Sequence, residues 1–266
     1  MLNEMFQIVN IRDYLKTRLS NNFLYFPNPG NAGDSLIGCA TIQLFEELNL
    51  NYVLCNQLLR CNGKTLVYGG GGNLVPLYPY CKRFLEENKD NNNDIIILPQ
   101  TIVGHEDLLQ SLGKNVTIIA RELKSYHHLL QHMQHKENIF IADDLALHIN
   151  IKLLHIHPKI GKGTLNAFRL DKESTCTSIP EDNVDVSNKF SLGTSDMNIM
   201  TNVSIQFLSF INEYEIVHTD RLHVAIACVL LNKHVFIYDN SYSKCKMVYN
   251  YSLKKKYPLC IFVEDL

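Results

Sequence analysis

The chain has 266 residues, 46% hydrophobic and 20% charged, enough apolar material for one large core or two smaller ones. Its formal net charge is -2 and its pI is near 6.6, which excludes a polycation: no nucleic-acid partner is expected, and any anion site must be local. Eight cysteines occur without a C-x-x-C pair and several sit in apolar runs, so they read as small hydrophobes in a reducing compartment rather than a disulfide framework.

The opening Met1–Met5 lacks the basic-then-apolar layout of a secretory leader, and no window reaches the apolar length of a membrane span. The sequence therefore predicts a cytoplasmic protein, with peripheral work at the inner face of a membrane left open. It sets no oligomeric state.

Strands are predicted at Phe23–Phe26, Tyr52–Cys55, Thr65–Tyr68, Asp94–Leu98 (closed by Pro99), Val116–Ala120 and Ile139–Ala142. Helices are predicted at Ser35–Leu48, where Leu36, Ile37, Ala40, Leu44 and Leu48 share a face, at Tyr80–Asn88, and at Leu123–Gln134. Strands alternating with helices imply βαβ units around a parallel sheet. The rhythm breaks over Ile151–Gly163, which places a domain boundary between residues 155 and 156. A strand follows at Thr164–Arg169. Asp171–Asn198 is polar and reads as a long loop or mobile insertion. Alternation resumes with helices at Val203–Asn212, Leu222–Leu231 and Tyr242–Tyr251, and strands at Glu215–Val217, Val235–Tyr238 and Leu259–Val263. The fold class is α/β, with each half its own layered unit.

The richest segment chemically is His218-Thr219-Asp220-Arg221-Leu222-His223, a strand–turn–helix junction. A helix start carries unpaired N–H groups and partial positive charge, so with Arg221 and His223 it suits an anion and a proton transfer. Asn28–Ser35 lies at another strand–helix junction. It is either a ligand loop, where Gly30 and Gly33 permit close backbone approach, or a turn capped by Asp34 or Ser35. Gly69-Gly70-Gly71-Gly72-Asn73 is either a cradle or a flexible connector. Arg121, charged at a strand end, needs an anion: Glu122 or a substrate. Asn240, Tyr242 and Lys244 follow a strand, where a lysine can neutralise phosphate. Asp143-Asp144 reads as a cap more than a metal site, and Lys254–Lys256 as a solvated face. His128, His132 and His135 share i, i+4, i+7 spacing. Without a helical carboxylate or local cysteine among them, an exposed polar face is favoured over zinc, and no metal is expected.

Gly30-Asn31-Ala32-Gly33-Asp34, Gly69–Asn73, Pro99-Gln100-Thr101-Ile102, Ala120-Arg121-Glu122, Phe168–Glu173, Thr219-Asp220-Arg221-Leu222-His223 and Asp239-Asn240 with Lys244 resemble, in order, the motifs of the polysaccharide pyruvyl transferase family. The resemblance spans nearly the whole chain. It implies two Rossmann-like domains facing a cleft, as in GT-B glycosyltransferases: residues 1–155 on the acceptor side and 156–266 on the donor side. It implies phosphoenolpyruvate as donor, no cofactor, and a saccharide acceptor in a surface polysaccharide or capsule precursor, lipid-linked or free. Catalytic roles fall on His223, Arg221 and Arg121. Donor binding falls on Arg121, Arg221, Leu222, His223, Lys244 and Asn240. Acceptor binding falls on Asn31, Gly33, Asp34, Gly70, Gly71, Gly72 and Asn73. One departure stands: a histidine common after Pro-Gln-Thr-Ile is Val103 here, with His105 two positions on. A GT-B-like glycosyltransferase using a sugar nucleotide and a non-catalytic phosphometabolite-binding protein are the alternatives.

Overall fold

The computed structural model describes residues 6–19 and 22–264; Met1–Met5, read above for a leader, lie outside them. The chain divides into two compact units, Met1–Pro29 with Thr41–Leu145, and Gly30–Ala40 with Ala146–Leu266. The change of unit thus falls at Leu145/Ala146, where the sequence pattern places it at 155/156, and residues 30–40 cluster with the later part of the chain.

The first unit holds β1 (Phe23–Phe26), β2 (Tyr52–Leu54), β3 (Thr65–Tyr68), β4 (Gly71–Leu74), β5 (Asp94–Ile102), β6 (Val116–Ala120) and β7 (Ile139–Ile141). Every pairing is parallel, in the order β2-β1-β3-β5-β6-β7, with β4 added against the end of β5. β2 lies on one side of β1 and the later strands on the other. Such a reversal leaves a crevice at the carboxyl ends of the central strands, here β1 and β3. β3, β5 and β6 are buried on both faces, which their unbroken apolar runs require.

Several elements depart from the sequence pattern. β5 does not stop at Pro99 but continues through Gln100-Thr101-Ile102. Its register with β6 shifts between Ile97 and Gln100, so the irregularity absorbs the proline's missing N–H. β4 is built from glycines read as a loop: Gly71 pairs with Gln100, and its φ of 138° is one that side-chain-bearing residues avoid. A helix at Ile11–Arg18 is new. Asn10 caps it, and Ile11 and Leu15 supply its buried face.

The second unit holds β8 (Thr164–Asn166), β9 (Ile216–Thr219), β10 (His234–Ile237) and β11 (Cys260–Phe262), all parallel and paired in chain order. Helix Met197–Asn212 starts six residues ahead of the expected Val203, because the Asp196 side chain accepts the Ile199 N–H and caps it. Asp171–Asn198 is not a detached insertion. It carries a short helix, Val186–Lys189, and buries Glu173, Asp185, Val186 and Ser187. All eight cysteines are free thiols. Among the described residues no helix is long and apolar enough to cross a membrane.

Candidate active site

In the second unit the chain leaves β9 and enters the helix Leu222–Leu230 through Asp220-Arg221. Thr219 shapes the turn: its hydroxyl donates to Ala167 O and accepts the Arg221 N–H. Arg221 occupies the N-cap position without a side-chain cap bond, so the helix start keeps the positive end that an anion seeks. His218, one turn back, belongs to the sheet. It bonds Tyr238 Oη at 3.0 Å and stacks on Phe236, and burial lowers its pKa.

The Gly30–Asp34 loop lies against this turn. A Cβ on Gly33 would fall 2.3 Å from His223 Nδ1, so only glycine lets the imidazole sit directly on that backbone. The loop is held by a reciprocal cap. Asn31 Oδ1 accepts the Gly33 N–H and Asp34 Oδ2 accepts the Asn31 N–H, both at 2.9 Å. The cap is therefore Asn31, not Asp34 or Ser35, and the helix runs Ala32–Glu47. Ser35 Oγ donates to Gly193 O, and Gly38 packs on Met200, which ties residues 30–40 to the second unit. Asn31, Gly33 and Asp34, expected on the acceptor side, thus belong to the same unit as His223.

Around Arg221 three cations interleave with three carboxylates. Arg221 Nε donates to Asp185 Oδ1 at 2.9 Å, its Nη2 to Asp185 Oδ2, and Nη2 also meets Asp171 at 3.0 Å. Arg169 Nε donates to Asp171 and its Nη1 to Glu173 Oε2 at 2.7 Å. Asn240 Nδ2 and Lys244 Nζ both reach that same Glu173 oxygen at 2.9 Å. Burial opposes charge on Arg169 and Lys244. Asp171 and Glu173 outweigh it for Arg169, and Tyr242 and Glu173 for Lys244, so both pKa values rise. Burial opposes charge on Asp171 too, but Arg169 and Arg221 hold its carboxyl low. Asp220 behaves otherwise. Its Oδ1 accepts the Arg169 N–H, its Oδ2 has no hydrogen-bond partner among the described residues, and burial pushes its pKa up to about 6. Leu222, expected against the donor, is 2% exposed and is a core residue.

In the first unit Arg121 is 1% exposed. Its Nε donates to Thr101 Oγ1 at 2.8 Å and its Nη1 to Asp144 Oδ2 at 2.7 Å. The anion it needs is therefore Asp144, not Glu122, whose carboxylate caps helix Leu123–His132. Asp144 in turn is this arginine's partner. One guanidinium ties together the ends of β5, β6 and β7. The glycine stretch is not a flexible connector either. Gly69 passes so close to β1 that a Cβ would sit 2.6 Å from Asn28 N, and Gly70 and Gly71 are buried. Gln100 Nε2 donates to Gly69 O, Gln100 Oε1 accepts the Asn73 N–H, and Asn73 Nδ2 donates to Pro29 O. His105 sits at φ 62°, and its Nε2 is buried with no hydrogen bond among the described residues.

A model of the polysaccharide pyruvyl transferase family matches residues 31–242, a span that holds both the His223 cluster and Arg121. The chain belongs to this family. Membership makes it a transferase and implies pyruvyl transfer to a polysaccharide acceptor. Among solved structures the chain is similar to an uncharacterised protein of Klebsiella pneumoniae subsp. pneumoniae. The two are 35% identical with a TM-score of 0.84, over 96% of this chain and 97% of that one. Comparison with curated proteins finds no match.

Proposed function

We propose that the protein moves pyruvate from phosphoenolpyruvate onto a sugar of a surface polysaccharide precursor as a ketal, releasing phosphate. The observation that carries this reading is the His223 imidazole seated on Gly33 at an uncapped helix start, next to Arg221. In the reaction one sugar hydroxyl adds to C2 of the donor while a proton joins C3, turning the methylene into a methyl. A second hydroxyl then displaces phosphate from C2, and its proton leaves to base. His223 delivers and collects these protons. The helix start, Arg221 and Lys244 receive the donor's phosphate and carboxylate, with Asn240 setting Lys244 through Glu173. Asp185 holds the forked face of Arg221 when donor is absent, so donor binding exchanges one carboxylate for another.

Arg121 has a different part in this reading. It positions the strand ends of the first unit through Thr101 and Asp144 and does not touch the donor. Two Rossmann-like domains in a GT-B arrangement, with the acceptor taken by the Gly70–Asn73 side, complete the proposal. The transfer needs no cofactor and takes place in the cytoplasm, where the precursor is assembled on or near the membrane. The test is phosphate release from phosphoenolpyruvate with a saccharide acceptor present and absent. Acceptor-dependent release supports the reading; nucleotide release from a sugar nucleotide with the phosphoenolpyruvate untouched favours a glycosyltransferase instead.

A further inference from the structure

Helix Leu123–His132 carries His128 and His132 one turn apart, with ring centroids 4.7 Å from each other. Opposite them stands Glu106, the first residue of helix Glu106–Gln110. The chain reaches Glu106 through two consecutive left-handed residues, Gly104 at φ 67° and His105 at φ 62°. The second costs conformational energy that a plain connection avoids. One ligand atom from each of Glu106, His128 and His132 lies within 4.8 Å of the other two.

We propose that Glu106, His128 and His132 form a binding site for a divalent transition metal of the zinc class. Two imidazoles and one carboxylate are a donor set such ions favour, with water completing the tetrahedron. Ligands about 2.1 Å from a tetrahedral metal stand roughly 3.4 Å apart, so the three close by up to about 1.4 Å through side-chain rotation. Glu106 is exposed and both histidines are only partly buried, so that motion meets little resistance. His128 Nε2 lies 3.9 Å from Glu106 Oε1 and 2.9 Å from Gly104 O, so a metal taking this nitrogen replaces its bond to the carbonyl. A simple ion pair between His128 and Glu106, 3.9 Å apart, accounts for two of the residues but not for the placing of His132. His135, which shares their spacing in sequence, takes no part. The helix ends at His132, and His135 Nδ1 meets Glu137 instead. The bound ion staples the segment after β5 to the helix after β6, and no step of the proposed transfer uses it.

The experiment titrates chelator-stripped full-length protein with Zn2+ alone, against a chromophoric chelator, and repeats the titration with Co2+. One equivalent should bind. The Co2+ form should lack thiolate charge-transfer bands, which separates this site from the partly exposed Cys55, Cys61 and Cys176. His132→Ala and Glu106→Gln should each weaken binding by at least about ten- to a hundredfold, the cost of losing even an outer-shell partner of a ligand. Both variants should keep the far-ultraviolet circular dichroism of the parent, and Zn2+ should raise the Tm of the parent but not of His132→Ala. Unchanged affinity in both variants, or no binding by the parent at a hundredfold excess of metal, overturns the proposal.

Discussion

His223 follows β9 and Arg121 follows β6, yet their surroundings differ. His223 rests on backbone at a helix start, and in the proposed transfer it moves a proton. His223→Ala should lower kcat by about 10²- to 10⁴-fold, the weight of one general acid–base group, with KM for the donor changing far less. Arg121 is sealed with Asp144, so Arg121→Met should cost about 3–5 kcal/mol of stability by taking the guanidinium from a buried carboxylate. In denaturant unfolding, Arg121→Met/Asp144→Leu should regain most of that loss. Weaker donor affinity at unchanged stability would instead return Arg121 to the donor. Asp220 sets a pH dependence. Its folded pKa of about 6 lies above the ordinary carboxylate value, so between roughly pH 4 and 6 the native state holds the extra proton. Stability therefore falls as pH rises through that window. Asp220→Asn, which can still accept the Arg169 N–H, should remove this fall and stabilise the protein near pH 7 by about 1–3 kcal/mol. Parallel pH profiles for parent and variant would contradict the assignment.

At the scale of elements, the Ala32 helix start is where local chemistry and site geometry meet. Gly33→Ala adds a Cβ that strikes the His223 ring, while alanine itself suits a helix interior. The variant should lose at least about tenfold in turnover, because a displaced general acid–base group loses its alignment, with about 1–3 kcal/mol of stability lost to overpacking. Asn31→Ala should keep turnover and cost about 1 kcal/mol through the lost cap. Equal activity in Gly33→Ala and parent would show that the contact has no catalytic weight. Much of the element pattern was legible: β1, β3, β6 and helix Tyr80–Asn88 have the limits their apolar runs predict. β4 was not, since Gly-Gly-Asn-Leu carries no strand signal and pairs only because β5 runs on past Pro99. The helix at Ile11 had its signal in Asn10 followed by apolar residues at Ile11 and Leu15, but the segment is short.

At the scale of the molecule, the α/β class follows from the alternation of strands and helices. The site was legible only in part. Sequence spacing brings Arg221 and His223 together, because they are neighbours on one turn. It says nothing of Asp144 for Arg121, of Asp185 for Arg221, or of Glu106 for His128 and His132. Each of these partners lies in another segment, and nothing local marks it. The return of residues 30–40 to the second unit is of the same kind. It rests on Gly38 meeting Met200 and Gly33 meeting His223, contacts made by the absence of side chains.

In the proposed reaction this chain protonates C3 of phosphoenolpyruvate as a sugar oxygen joins C2. Run in D2O with a polysaccharide precursor as acceptor and followed by NMR, the reaction should give a ketal whose methyl group carries one deuterium, with one phosphate released per ketal. Phosphoenolpyruvate left intact, or phosphate released without a singly deuterated methyl on the sugar, would contradict it.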